Sequence, residues 1–170
     1  VLIGADFNAC ALDDRNFEEA ILRGAWFKSA GLRRANLKYA DLRDSYMQRA
    51  KLVGVRAFGA QFTNAKMEFV DFTGASLEHC DFRGANLIGA DFTNARVIFC
   101  DFRGANLTGA KFYSTDASYA NFCGATLKNT SFIKTDLTAT LFIGAVMGNT
   151  TFFKEGIIAS SIKHIVGFNY

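Results

Sequence analysis

The sequence predicts an all-β protein whose chain winds into a coil with four walls. Two regularities indicate this fold: a large apolar residue stands at every fifth position, as at Phe82, Leu87 and Phe92, and a small residue precedes each by two positions. Strands repeat every 2 residues and α-helices every 3.6, so neither keeps residues five apart on one face. The chain must therefore turn once in every five residues, with the large and small residues inside.

This five-residue frame runs almost unbroken to about residue 154. Of the 30 large positions from 7 to 152, 13 hold Phe, 11 Leu, 3 Met and 1 Val, and the exceptions are Ala57 and Ala117. Of the 30 small positions from 5 to 150, 18 hold Ala, 5 Thr, 3 Cys, 2 Val and 1 Ser. The one remaining small position holds Arg15. Because an ion inside the coil would be costly, we expect a bulged first coil that turns Arg15 outward.

The number of pentapeptides in one coil follows from sliding residues 81–100 along the chain. Shifts of 5, 10, 15 and 20 positions give 3, 7, 4 and 10 identities out of 20. The maximum at 20 indicates that four pentapeptides form one coil, which stacks on the next. Residues 20 apart should therefore lie directly above one another, as in the predicted interior column of Phe82, Phe102 and Phe122.

The repeat resembles the pentapeptide-repeat family, whose motif is A(D/N)LXX. Stretches that match it include Ala85-Asn86-Leu87, Ala90-Asp91-Phe92 and Ala105-Asn106-Leu107. The resemblance covers about nine tenths of the chain. It implies a right-handed quadrilateral parallel β-helix of about seven to eight coils, in which glycines such as Gly84 tolerate the turns.

The frame predicts two segments. Residues 1–154 form the solenoid, and residues 155–170 lose the alternation of small and large residues. In the second segment Ile158, Ile162 and Ile165 follow the spacing of a short amphipathic helix. We expect this segment to cap the open last coil, whose strand edges would otherwise invite stacking; dimerisation through it is the alternative.

Charge is distributed unevenly along the chain. Residues 1–20 carry a net charge of −4 and residues 21–66 one of +8, so the total of +3 conceals a basic collar. Such a concentration attracts anionic partners, either nucleic acid or an acidic protein. Because the collar residues fall on all four walls and line no single groove, nucleic-acid binding is expected to be absent. The collar comprises Arg23, Lys28, Arg33, Arg34, Lys38, Arg43, Arg49, Lys51, Arg56 and Lys66.

The sequence offers no arrangement for catalysis. His79 and His164 are far apart in the frame, and neither forms a recognisable triad. The four Cys have no CxxC spacing, which argues against a zinc site or a disulfide framework. We therefore predict no enzyme activity, no catalytic residue, no metal and no cofactor. Cys80 and Cys100 should lie inside the coil as reduced thiols, and Cys123 should lie outside.

No stretch is apolar for long enough to cross a membrane. The chain begins at Val1 already within the repeat, with no starting Met and no signal-like segment. This is consistent with a fragment or a trimmed chain. We expect a protein of the cytoplasm that makes no contact with a membrane.

One wall of the coil carries aromatic residues at outward positions, where packing does not require them. We predict a partner-binding site there, because aromatic and Arg side chains dominate interface hot spots. Two alternatives remain open: the aromatics stack on one another along the rod, or Phe58 folds inward to fill the space left by Ala57. The predicted site consists of Tyr39, Phe58, His79, Phe99 and Tyr119, flanked by Arg56 and Arg96.

Two functions remain. The first is a non-enzymatic protein-interaction scaffold, a rigid rod that presents side chains to another protein or to a second copy in a homodimer. The second is implied by the resemblance alone: one branch of the family mimics DNA and protects gyrase from quinolones. A DNA mimic needs a strongly acidic surface, so the net positive charge disfavours that alternative.

Overall fold

The structure, a computed structural model, describes residues 1–153. Backbone bridges join each coil to the next in parallel, and every isolated bridge pairs residues 20 apart, from Asp6 with Trp26 to Thr126 with Val146. The predicted coil of four pentapeptides is confirmed. The predicted capping segment, 155–170, lies outside the described residues.

Most walls are too short to count as strands. The two that qualify are β1, Ser131–Ile133, and β2, Thr151–Phe153, which pair in parallel with Phe132 opposite Phe152. Elsewhere each pentapeptide contributes a single bridging residue, which is the residue immediately before the large interior one. The wall is short because the chain turns again two residues after each large residue.

The turn is made by one residue in each pentapeptide, here called the corner residue. All thirty corner residues from Gly4 to Asn149 have φ between +52° and +70°, and nineteen of them are not glycine. Left-handed backbone costs a non-glycine residue about 1 kcal/mol. The predicted role of glycines such as Gly84 is confirmed, but the coil also accepts this cost at most corners.

The hydrogen bonds of residues 90–94 explain the Asp or Asn of the motif. Four of the five backbone N–H groups donate to carbonyls, one within the same turn and three in neighbouring coils. The fifth N–H, of Thr93, donates to Oδ1 of Asp91 at 2.9 Å. Twelve pentapeptides contain this side-chain bond to the N–H two residues later. The motif residue thus pairs the one N–H that the neighbouring coils leave free.

The interior is filled by two columns of Phe. In the column that contains Phe82, Phe102 and Phe122, consecutive rings are 4.9 and 4.7 Å apart and nearly parallel. Rings of the opposite column, such as Phe92 and Phe112, meet them edge to face at 5.8–6.0 Å. Both arrangements are favourable for aromatic pairs. All five of these residues are fully buried.

Seven polar residues at small positions donate a side-chain hydrogen bond to the coil before them. The Sγ atoms of Cys80 and Cys100 donate to the carbonyls of Ala57 and Leu77, both at 2.9 Å. The two thiols are free and buried, as predicted, and burial raises the pKa of Cys100. The half-buried Cys123 has an outward position.

The expectation of a bulged first coil is wrong. Asn16 pairs with Asn36 in the regular register, so no residue is inserted around Arg15. Arg15 keeps its place in the frame and is nevertheless exposed in the structure of residues 1–153. Its exposure therefore involves no distortion of the backbone.

A charged group in a Phe column should prevent folding. Phe102→Asp places a carboxylate between Phe82 and Phe122 without a partner, which costs several kcal/mol. We expect this variant to show no cooperative urea transition when unfolding is followed by circular dichroism. Phe102→Leu is the control, since Leu holds many equivalent positions, and it should keep a cooperative transition at lower urea. A cooperative transition in the Asp variant would contradict this packing.

The side-chain bond of the motif should be measurable on its own. The Oδ1 of Asn106 accepts hydrogen bonds from the N–H and the hydroxyl of Thr108. Asn106→Ala should lower the free energy of unfolding by about 1 kcal/mol, because it leaves that N–H unpaired. Asn106→Asp retains the acceptor and should lose much less in the same urea titration. Equal losses in the two variants would assign the effect to something other than this bond.

Candidate functional site: the aromatic wall

The predicted aromatics form a continuous ladder along one side of the coil, here called the aromatic wall. Tyr39 meets Phe58 edge to face at 5.6 Å, and Phe58 meets His79 at 5.1 Å. Above them, His79 stacks on Phe99 at 5.0 Å and Phe99 on Tyr119 at 4.8 Å. The alternative in which the rings stack on one another therefore describes their arrangement correctly.

The ladder rings remain open to solvent although they stack. Tyr39, Phe99 and Tyr119 are 53%, 50% and 52% exposed, and Phe58 is 37% exposed. The alternative in which Phe58 folds inward is wrong, because its ring lies between those of Tyr39 and His79 on the outside. Stacking occupies the faces of the rings, so the exposed parts are largely their edges.

Gly59 explains why the ladder changes column at Phe58. Tyr39, His79, Phe99 and Tyr119 are all corner residues with positive φ. The corner between Tyr39 and His79 is Gly59, and a Cβ there would lie 2.8 Å from Cδ1 of Tyr39. The absence of a side chain lets the Tyr39 ring lie over Gly59, and the neighbouring Phe58 fills the gap.

A groove of about 470 Å³ opens at the lower end of the ladder. The small Ala57 lies fully buried behind this part of the wall, as the sequence predicted. The groove is lined by Glu18, Lys38, Tyr39, Arg56, Phe58, Ser76 and Glu78. It joins three of the predicted site residues to four that were not predicted.

Some charged side chains in the groove have a partner within residues 1–153, and others form no ion pair there. Glu78 forms an ion pair with Arg96, Nη1 to Oε1 at 3.2 Å, and Glu18 accepts a hydrogen bond from Asn36 at 2.9 Å. Lys38 and Arg56 form no ion pair with any residue from 1 to 153. Of the two predicted flanking arginines, Arg56 is thus available and Arg96 is engaged.

The additional groove residues follow the same spacing of 20. Glu18, Lys38, Phe58 and Glu78 occupy one outward column, immediately beside the corner column. Of this column only Phe58 was predicted, because the charged members have no apolar pattern. The spacing alone would have placed them next to the predicted site.

The rest of the basic collar is partly neutralised. Arg33 pairs with Asp13 and Arg34 with Asp14, each across one coil. Beyond the collar, Arg83 pairs with Asp81 and Arg103 with Asp101. The collar therefore attracts anions less than its count of charges indicates.

Asp41 is the most strongly held acid among these pairs. Asp41 is 8% exposed, and its carboxylate accepts hydrogen bonds from Arg43 at 2.8 Å and from Arg23 at 2.5 Å. Hydrogen bonds from Arg43, and then from Arg23, hold the pKa of Asp41 well below its ordinary value, although burial acts in the opposite direction.

This lowered pKa predicts a pH-dependent contribution to stability. An acid with a depressed folded-state pKa stabilises the fold above its unfolded value of about 3.9 and loses that effect as the pH falls. Asp41→Asn should therefore lower the free energy of unfolding at pH 7, and the difference from the native protein should narrow at pH 3. Urea titrations at both pH values measure it. The exposed Asp44→Asn in the same coil is the control, and an equal pH dependence of both differences would contradict the assignment.

A second exposed aromatic group lies on the opposite wall. Trp26 stacks on Tyr46 at 4.1 Å, and the guanidinium of Arg49 lies 5.8 Å from the centre of the Phe69 ring. Phe69 is a corner residue with φ +59° and is 57% exposed. The sequence did not predict this group, because Phe69 is the single aromatic residue in its corner column within residues 1–153. Phe69 is a close counterpart of Phe99 outside the aromatic wall.

Within residues 1–153, no three His, Cys, Asp or Glu side chains are grouped so that they could hold a metal ion. The same part of the chain contains no helix long and apolar enough to cross a membrane.

The coil of four pentapeptides defines a class of solenoid repeat protein, and comparison with known families identifies which one. A model of pentapeptide repeats matches residues 1–38, 30–68, 71–109, 90–129, 105–144 and 120–153, with eight copies. The chain belongs to the pentapeptide-repeat family, and its fold is the right-handed quadrilateral β-helix of that family. Among curated protein sequences there is no significant match.

Solved structures agree with this assignment. The chain is similar to HetL, a pentapeptide repeat protein involved in heterocyst differentiation regulation from the cyanobacterium Nostoc sp. strain PCC 7120, with a TM-score of 0.53 and 25% identity over 83% of this chain and 73% of HetL. It is also similar to Rfr23 from the cyanobacterium Cyanothece 51142, with a TM-score of 0.50 and 20% identity over 89% and 90% of the two chains. The second similarity concerns the fold alone.

Proposed function

We propose that this protein is a non-enzymatic interaction scaffold, a rigid rod that binds another protein through the aromatic wall. The observation that carries the proposal is the ladder from Tyr39 to Tyr119, whose rings are about half exposed although the repeat does not require them. Exposed contiguous apolar surface of this kind marks interaction sites in soluble proteins.

The backbone supports the same reading. At the corners the coil accepts glycine without cost, yet four corners of the aromatic wall hold Tyr, His or Phe with φ between +56° and +61°. Bulky residues are disfavoured in this region. The ladder therefore carries a conformational cost that the coil itself does not demand.

The dimensions also suit a protein partner. With about 4.8 Å between coils, the four steps from Tyr39 to Tyr119 span about 19 Å. Aromatic and Arg side chains are enriched at the centres of interfaces, and here Arg56 lies beside the ladder. HetL, described as involved in differentiation regulation, is a relative with a regulatory role, and a regulatory role fits binding better than catalysis.

The experiment compares two matched variants. Phe99→Asn and Phe69→Asn each replace an exposed corner Phe, and Asn tolerates positive φ, so both should keep the fold. Tagged native protein and both variants are used to capture proteins from the source cell, with quantitative mass spectrometry. We expect a set of partners retained by Phe69→Asn and lost by Phe99→Asn, more completely with Tyr119→Asn added.

Sedimentation of the purified native protein tests whether a second copy is the partner. A concentration-dependent dimer that the Phe99→Asn change dissociates would assign the aromatic wall to a homodimer. If every interaction survives the double change at Phe99 and Tyr119, the aromatic wall is not the binding surface and the proposal fails.

The DNA-mimic alternative stays a prediction that no observation on residues 1–153 favours. Its acidic surface would have to come from outward Asp residues, and Asp41, Asp81 and Asp101 each bind Arg side chains. A gyrase supercoiling assay with and without a quinolone tests it directly. Protection of gyrase by the native protein would revive that alternative.

A further inference from the structure

We infer that the groove at the lower end of the aromatic wall selects an acidic partner: an extended peptide segment in which a carboxylate side chain adjoins an apolar one. This inference rests on the proposed function, since it specifies what the aromatic wall binds. The groove has a volume of about 470 Å³ and combines the rings of Tyr39 and Phe58 with the cations of Lys38 and Arg56.

Charge complementarity points to the carboxylate. Arg96 neutralises Glu78, whose side chain is 15% exposed. Glu18 is the other acid in the groove, and its Oε2 already accepts from Asn36. Two cations therefore face one carboxylate that is not ion-paired, and a partner carboxylate would supply the missing charge to Lys38 or Arg56.

Ring geometry points to an apolar peptide side chain beside that carboxylate. Tyr39 and Phe58 meet edge to face at 5.6 Å with an angle of 76° between their planes, and both residues line the groove. Gly59 keeps this angle open, because a Cβ there would push against the Tyr39 ring. A Leu or Phe side chain fits such a corner by contact with ring edges.

The same geometry disfavours nucleic acid. Proteins that bind single strands stack bases on the faces of aromatic rings. In this ladder both faces of Phe99 are occupied, by His79 and by Tyr119, and each of those two rings has one face covered by Phe99. Phosphates would also approach Glu18 and Glu78. An acidic peptide avoids the first difficulty and can place its carboxylate at the cations alone.

The test uses fluorescein-labelled peptides of about nine residues, which span about 30 Å when extended. One alternates Leu with Glu, the second Leu with Gln, and the third Leu with Lys. Fluorescence anisotropy at low salt should show the Glu peptide binding the native protein about three- to tenfold more tightly than the Gln peptide. The Lys peptide should bind most weakly, and salt should reduce the difference.

Two double variants locate the effect. Lys38→Gln with Arg56→Gln should abolish the preference for the Glu peptide while leaving Gln-peptide binding unchanged. The control, Lys51→Gln with Lys66→Gln, removes the same charge from the collar at residues outside the groove that form no ion pair within 1–153. It should keep the preference. Gly59→Ala should weaken the binding of both peptides. Gly74→Ala should not, because Gly74 has a similar positive φ and an added Cβ there would meet no atom within 4 Å.

Four results would overturn the inference. The first is equal binding of the Glu and Gln peptides, and the second is no binding of the Glu peptide. The third is an equal loss of the preference for the Glu peptide in the control variant, Lys51→Gln with Lys66→Gln. The fourth is that a labelled oligothymidylate binds more tightly than the Glu peptide and that Lys38→Gln with Arg56→Gln weakens its binding. The first three leave the proposed function standing, because the capture experiment with Phe99→Asn is independent of them. If that capture experiment fails while the Glu peptide binds as expected, the fault lies in the wider proposal and not in the groove.

Discussion

The whole structure depends on one backbone constraint: every fifth residue must adopt a left-handed conformation. Thirty consecutive corners satisfy it, from Gly4 to Asn149. Because the turn recurs after five residues, four turns close a coil and residues 20 apart come into register. The Phe columns, the bridges and the aromatic ladder are all consequences of that register. Stacked interior rings then stabilise the corners that non-glycine residues would otherwise disfavour.

The constraint also divides each pentapeptide into fixed and free positions. Both interior residues are fixed by packing, and the motif residue before the large one is fixed by the N–H that its side chain pairs, as Asp91 does for Thr93. The remaining two positions, the residue after the large one and the corner, have no interior role. Phe58 and Phe99 occupy these two kinds of position. The residues at these two positions therefore tell most about what the surface of a pentapeptide-repeat protein binds.

The repeat frame predicted the register and hence which residues share a column, including Phe102 above Phe82 and Phe99 above His79. It could not predict side-chain directions that depend on contacts between columns. The Tyr39 ring lies over Gly59 because that glycine leaves space, and Arg96 turns to Glu78 because the acid is nearby and largely shielded. The expectation of a bulge at Arg15 was wrong for a related reason: the frame does not show how exposed an individual side chain is, and Arg15 is exposed while its backbone keeps the regular register.

Stacking within the ladder and binding by the ladder are compatible. A ring fixed between two neighbours has lost its rotational freedom before any partner arrives, so less entropy is lost when the partner binds. His79 and Phe99, stacked at 5.0 Å with 15° between their planes, are fixed in this way. Their edges stay exposed, and ring edges are where an apolar side chain can make contact without separating the stack. The proposed recognition by the aromatic wall therefore requires no separation of the stacked rings.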